Sequence, residues 1–172
     1  MSYFINFPTT LYDPHGIGNQ KLATNLLKRV RIRTNMKKEF ILLDPYDIQE
    51  GETPEIVADK HHGSPYYHWV VMILNGISHP IHDWPKTTRE MQLYLKQKYG
   101  LAAGQDSVHH YEIAQSSGDT TEMIEVPEGT SGAIAVTNWT YEWNLNETKR
   151  SIDLLRNNYL GMFVEEFQQL IA

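Results

Sequence analysis

The sequence contains no cysteine, which removes disulfides, thiolate metal sites and cysteine nucleophiles from consideration. It has no excess of positive charge. Its 15 Lys and Arg stand against 21 Asp and Glu, for a formal net charge of −6, a balance that argues against general binding to nucleic acid or to an anionic membrane. Long apolar runs are missing too: the most apolar stretch, Trp69 to Leu74, has six residues against the roughly 20 that cross a bilayer. No basic segment followed by an apolar run lies between Met1 and Pro14, so a Sec-type leader is not expected and synthesis in a cytosol is. What is present is a globular composition. The chain has 172 residues, 41% hydrophobic and 11% aromatic, with 10 Tyr and 4 Trp, enough for one domain or a small module with embellishments.

Local signals change character several times along the chain. Residues 1–27 carry Pro8, Pro14, Gly16 and Gly18 among scattered apolar residues, which predicts an extended arm with at most one short helix near Gln20 to Leu27. Apolar and basic residues alternate from Arg29 to Arg33, and Phe40 to Leu43 is apolar, predicting two strands around a turn at Asn35 to Lys38. Thr53 before Pro54 marks a helix start, and Gly63 its end. Ser64 before Pro65 marks a second, more buried helix that stops at Asn75-Gly76. Thr87-Thr88-Arg89-Glu90 has capping-box spacing for a helix running to Gly100. Val108 to Ala114 and Glu122 to Val126 predict a protruding hairpin. Leu145, Thr148, Ile152 and Leu155, then Leu160, Phe163, Phe167 and Leu170, predict an amphipathic helix broken at Asn157-Asn158.

Chemistry-bearing patterns are weak. The eight His include His61-His62, His79-x-x-His82-Asp83 and His109-His110, but adjacent His side chains do not converge on one ion from a regular element, and no helical His-Glu-x-x-His pattern occurs. They read as loop-bracing and surface residues. Gly129-Thr130-Ser131-Gly132-Ala133 lacks both the nucleophile-elbow pattern and the Gly-Lys-Ser/Thr of a phosphate loop. Glu50, Glu52 and Glu55 sit near a helix start, where they complement the macrodipole. No catalytic, cofactor or metal residue is assigned.

Surface features are more telling. Six cations and no acid lie between Lys28 and Lys38, so the remaining residues carry a formal −12. No aromatic interleaves with these cations, as a nucleic-acid surface would want; Arg29, Arg31 and Arg33 read as a basic strand face meeting an acidic partner or solvent. Trp84, Trp139 and Trp143, in loop or helix-start contexts, read as interface anchors or as residues buried under the chain's own arm. The terminal stripe of Leu160, Phe163, Phe167 and Leu170 packs on the body or on another chain. Because this stripe lies beyond the expected core of the central module, truncation after Asn158 should abolish incorporation into particles and leave that module folded.

The segment Tyr46-x-Ile48-x-x-Gly51-Glu52-Thr53-x-x-x-Val57-Ala58, with Gly63 and then an apolar helix ending Leu74-Asn75, resembles the lysin-motif (LysM) module. The resemblance implies the order strand, helix, helix, strand, with Tyr46, Ile48, Gly51, Thr53, Ala58, Tyr66, Trp69 and Asn75 as core or turn positions. In place of the usual closing strand after Asn75 stands Gly76-Ile77-Ser78-His79-Pro80, then Asp83-Trp84-Pro85. Together with Phe7-Pro8, Tyr12-Asp13, Gly63-Ser64-Pro65-Tyr66-Tyr67-x-Trp69, Asn75-Gly76-Ile77 and Tyr141-Glu142-x-x-Leu145-Asn146-Glu147, this series resembles a narrower family, the LysM-like baseplate wedge subunits of contractile-tailed, T-even-type bacteriophages.

That resemblance implies an α+β protein with an N-terminal arm with short strands (1–43), a LysM-like core and following helix (44–100), and a hairpin with a C-terminal helical extension (101–172). It implies a structural, non-enzymatic component without cofactors, made in the host bacterial cytoplasm and resident in the virion baseplate. There it would clamp neighbouring wedge and hub proteins together in a six-fold assembly, with several copies present and no nucleic-acid or membrane partner. The alternative expectation is a LysM-type module that binds peptidoglycan or another N-acetylglucosamine polymer beside Gly51 to Pro54 and the loop after Asn75.

Overall fold

A computed structural model of the chain describes residues 3–28, 30, 42–116 and 122–171. The predicted strand at Arg29 to Arg33, its turn, and the tip of the predicted 108–126 hairpin lie outside the described residues. The fold is α+β, with small antiparallel sheets among the helices. It divides into two compact units, one of residues 1–84 and 151–172, the other of residues 85–150. This division cuts across the three consecutive segments expected from the sequence, because the first unit is built from both ends of the chain.

The first unit opens with a 3-10 turn, Tyr3–Asn6, and a hairpin of β1 (Thr9–Tyr12) and β2 (Lys21–Thr24). The helix expected near Gln20 to Leu27 is thus a strand. Thr9 to Tyr12, rich in β-branched and aromatic residues, supplies its partner, and the Asp13 carboxylate folds the connecting loop by accepting N–H bonds from His15 (3.1 Å) and Gly18 (2.7 Å).

Strand β3 (Leu43–Asp47) is followed by α1 (Pro54–His62). Gly51 turns the chain with φ +81°, a conformation that other residues rarely adopt. Thr53 then caps α1, its hydroxyl accepting from the Ile56 N–H, and Gly63 ends the helix in the left-handed region. A 3-10 turn at Pro65–Tyr67 leads into α2 (His68–Asn75), which Gly76 terminates. Helix α2 is apolar almost all round, as a helix with core on two sides must be.

The strand that pairs with β3 is β7 (Ser151–Leu155), antiparallel, with Tyr46 opposite Ile152. The helix expected through Ile152 and Leu155 is therefore a strand. Both periodicities fit this short stretch, but β3 has a free edge to satisfy, and Ile152 and Leu154 alternate inward at period two. One core cluster lies against this pair: Ile48, Val57, Ala58, Val71, Trp84, Ile152 and Leu154. A second, on the other flank of α2, joins Leu43, Trp69, Val70, Leu74 and Leu155 to Phe7 from the amino end and to Phe167 and Ile171 from α6 (Asn157–Ile171).

Helix α6 thus packs on its own unit. The Phe167 ring lies 4.5 Å from that of Trp69, and Tyr3 sits 5.7 Å from both, distances at which aromatic pairs attract. The expectation that truncation after Asn158 spares the module is corrected here, because such a cut removes core residues.

The second unit comprises α3 (Thr88–Tyr99), the short α4 (Ala102–Gln105), strands β4 (Val108–Ala114), β5 (Met123–Val126) and β6 (Ile134–Thr137), and α5 (Asn138–Glu147). The capping box at Thr87 and Glu90 forms in both directions. Strand β4 is the middle of a three-stranded antiparallel sheet, so the expected hairpin gains a further strand on its other side.

Candidate interaction surfaces

Buried polar groups fix each unit internally. In the first, the Glu52 carboxylate accepts from the Tyr46 hydroxyl (2.8 Å), the Gln49 N–H (2.8 Å) and the Lys60 ammonium, while its backbone carbonyl accepts from the Trp84 indole at 2.7 Å. Burial alone would raise the Glu52 pKa, but these donors outweigh it and hold the carboxyl below its ordinary range. Burial and the facing carboxylate push Tyr46 up to about 12. Asn75 joins α2 to β7, donating to the Asp153 carbonyl (2.8 Å) and accepting from the Asp153 N–H (2.9 Å). This two-point bond replaces a missing strand neighbour with a side-chain amide.

The second unit has parallel devices. Glu142, buried on α5, accepts from Tyr99 (2.7 Å) and from Lys98; burial raises its pKa, the two donors lower it, and the net position is below the usual carboxylate value. Asn146 takes the Lys86 N–H (2.7 Å) and donates to the Lys86 carbonyl (3.0 Å). These are complete internal networks, the arrangement in which buried polar groups specify a fold.

The histidines brace loops. His61 Nε2 contacts the Leu155 carbonyl (3.0 Å) and His62 Nδ1 the Asn157 amide oxygen (2.8 Å), tying the end of α1 to the β7–α6 junction. His109 stacks on Tyr141 at 3.8 Å. Among the described residues no cluster of three or more potential ligands is placed to hold a metal ion, and no helix is long and apolar enough to cross a membrane.

His62 makes the first unit sensitive to acid. Burial, with a smaller contribution from His61, holds its pKa below the ordinary 6.5 against the opposing Asn157 contact, and its Nε2 is buried without a partner. The unfolded chain therefore takes up a proton before the folded one does, and stability falls as pH drops through about 6.5. Glu52, also lowered, contributes fully above its unfolded value of 4.5 and less as pH falls through the folded value. The urea midpoint of the first unit should decline in these two stages, and His62→Gln should flatten the upper one. A parent midpoint that stays level from about pH 7.5 to 5.5 would refute the His62 assignment.

The residues singled out in the sequence fall into distinct environments. Ile48, Ala58, Trp69 and Trp84 are buried, and Tyr46 is partly so. Trp84 is therefore a core residue held by Glu52. Tyr66 is 58% exposed, whereas Tyr67 packs against both clusters; the three-residue period of the 3-10 turn points the second tyrosine inward. Phe167 is buried, Leu160 and Phe163 are half-buried against the same core, and Leu170 is exposed. Trp139 is 42% exposed and stacks on Trp143 with centroids 5.1 Å apart. Arg29, Arg31 and Arg33 lie outside the described residues.

A surface that sequence patterning missed is the β1–β2 hairpin, where Leu11, Tyr12, Leu22, Leu26 and Leu27 are all exposed. The β-branched and aromatic residues of Thr9 to Tyr12 were its available signal, obscured by the prolines and glycines around it. In the second unit Ile124, Ile134, Trp139 and Leu145 are exposed, and the pairing of Ile124 with Ile113 and of Ile134 with Glu112 puts the two isoleucines on opposite faces of the sheet.

Comparison with curated proteins found no match. The family model described as base plate wedge protein 53 matches residues 23–131, more than half of the chain, running from the end of β2 through β3, α1 and α2 to the β4–β5 pair. The chain belongs to the phage base plate wedge protein 53 family and is a structural subunit of the tail baseplate wedge.

Proposed function

We propose that this subunit clamps neighbouring baseplate proteins together during assembly, by contacts from several surfaces and without catalysis. The observation that carries this reading is that each of the two compact units exposes large apolar side chains, Leu11, Leu22 and Leu27 in one and Ile124, Ile134 and Trp139 in the other. A clamp needs contacts from more than one part of its chain. Other wedge proteins and the central hub are its partners, in a six-fold arrangement, after synthesis in the host cytoplasm. The core of the first unit is read as LysM-like, supported by its spatial order β3, α1, α2, β7. The closing strand that does not follow Asn75 would then arrive 76 residues later, at Ser151, with the second unit inserted between. A LysM-like core does not by itself bring glycan binding, since function resides in sites and not in folds.

Sedimentation of a tagged copy from producing cells, with mass spectrometry of what travels with it, tests the clamp. Co-migration with a fixed set of tail proteins in large particles is expected. Migration as a lone small species, or with cell-wall fragments, would overturn it.

A further inference from the structure

Among the described residues no three potential metal ligands meet, but two imidazoles do. His109 and His110 are neighbours on β4, and on a regular strand they would point to opposite faces. The register of β4 against β6 slips at this point: Val108 faces Thr137 and His110 faces Val136, so two steps along β4 match one along β6. His109 is the extra residue of a β-bulge, a device that re-aims a side chain. The two rings accordingly turn their Nδ1 atoms toward each other at 2.9 Å, with their planes 86° apart.

Both rings are held in place. His109 stacks on Tyr141 of α5, with centroids 3.8 Å apart and planes within 12°. His110 Nε2 lies 3.6 Å from Glu112 Oε2, two residues on along the same face of β4. An ionised carboxylate only accepts hydrogen bonds, so Glu112 favours the proton on Nε2 of His110 and leaves the Nδ1 lone pair of that ring facing His109. His109 is exposed and His110 half-buried, so an ion reaches the pair from solvent.

We propose that His109 and His110 form a two-nitrogen site for a divalent transition-metal ion of the zinc class, held through both Nδ1 atoms with water in its remaining positions. Imidazole nitrogen suits Zn²⁺, Ni²⁺ and Cu²⁺, whereas Mg²⁺ and Ca²⁺ want oxygen. Tetrahedral Zn²⁺, with bonds of roughly 2.0–2.1 Å, sets two ligand nitrogens about 3.3 Å apart, so the pair needs to open by only a few tenths of an ångström. His109 makes this move by turning in its own plane, which keeps its stack on Tyr141. The hydrogen bond between the rings breaks, the His109 proton passes from Nδ1 to Nε2 through solvent, and each neutral ring gives its Nδ1 lone pair to the ion. Glu112 is a positioning residue, fixing the tautomer and orientation of His110 as carboxylates do behind metal-bound histidines. The bound ion fastens the bulge and stabilises the folded second unit by mass action. None of this depends on the clamp reading.

Calorimetric titration of the full, metal-free chain with ZnCl₂ tests the site. The parent should bind Zn²⁺ in the presence of excess Mg²⁺, and Cu²⁺ more tightly than Zn²⁺. His109→Ala and His110→Gln should each weaken Zn²⁺ binding by more than about tenfold, since even the loss of a group behind a metal ligand costs that much. Glu112→Gln should weaken it about tenfold while its metal-free urea midpoint stays at the parent's. Zn²⁺ should raise the midpoint of the second unit in the parent and not in His109→Ala. Substoichiometric Cu²⁺ should broaden the nuclear magnetic resonance signals of residues 108–112 and Tyr141 first.

Parent-like Zn²⁺ affinity in His109→Ala would overturn the proposal, as would a parent chain that binds no Zn²⁺. Broadening centred on His79 and His82, the neighbouring pair of rings in the first unit, would overturn it as well. If His110→Gln fails to fold, His109→Ala, at its exposed position, decides alone.

Discussion

Phe167→Ala should destabilise the first unit by about 3 to 5 kcal/mol, the range for removing a fully packed aromatic ring from a core. Phe167 is 2% exposed and lies against Trp69 and Tyr3, so neither end of the chain can close over the space without moving the other. Leu170, three residues on, is 62% exposed, and Leu170→Ala should stay within about 0.5 kcal/mol of the parent. Truncation after Asn158 combines the loss of Phe167 and Ile171 with that of the half-buried Leu160, Phe163 and Val164. A domain's whole stability is of the order of 5 to 15 kcal/mol, so the truncated first unit should not fold cooperatively. Chemical denaturation followed by tryptophan fluorescence measures both effects. A truncated chain that retained the parent's transition for this unit would show that α6 is an appendage.

Leu154→Ala should cost the same unit about 2 to 5 kcal/mol, even though Leu154 is remote in sequence from the helices it packs with. It is fully buried, in one cluster with Val57, Ala58, Val71 and Trp84. Ser151→Ala, at an exposed position on the same strand, should be close to neutral. Hydrogen exchange adds a sharper readout: Leu154→Ala should speed exchange in α1 and α2 together with β3, as expected of one cooperative unit. If Leu154→Ala changed exchange only in residues 85–150, β7 would not be the strand that closes the first unit.

Local chemistry made much of the fold legible. Thr53-Pro54 with Gly63 and the Thr87–Glu90 box mark helix boundaries with residues a few positions apart and appear where the sequence places them, whereas Ser64-Pro65 opens a 3-10 turn and α2 begins only at His68, ending at Gly76 as expected. The hairpin of β4 and β5 was readable from the same kind of signal. Misreadings occurred where two periods fit a short segment. Residues 20–27 and 145–155 both admit a helical stripe, and in both the decision came from a partner strand: β1 for the first, β3 for the second.

The interaction surfaces were less legible, for a related reason. A tryptophan in a Pro-rich loop looks the same whether it awaits a partner or fills its own core. Trp84 is settled by the Glu52 carbonyl, which its indole meets from 32 residues away, and Phe167 by Trp69. Trp139, although stacked on Trp143, and Leu170 keep exposed surface.

By itself the sequence determined the ends of α1 and α3, the α+β class, the lack of thiol chemistry and the wedge family, since these depend on residue types and spacings within short windows. Only the tertiary structure decided that Ser151–Leu155 closes the sheet begun at Leu43, that the chain's two ends share one core, and that Lys21–Thr24 pairs as a strand with Thr9–Tyr12. Each of those outcomes is a pairing between distant segments. Its free energy comes from buried area and satisfied backbone groups that neither segment has until the other arrives.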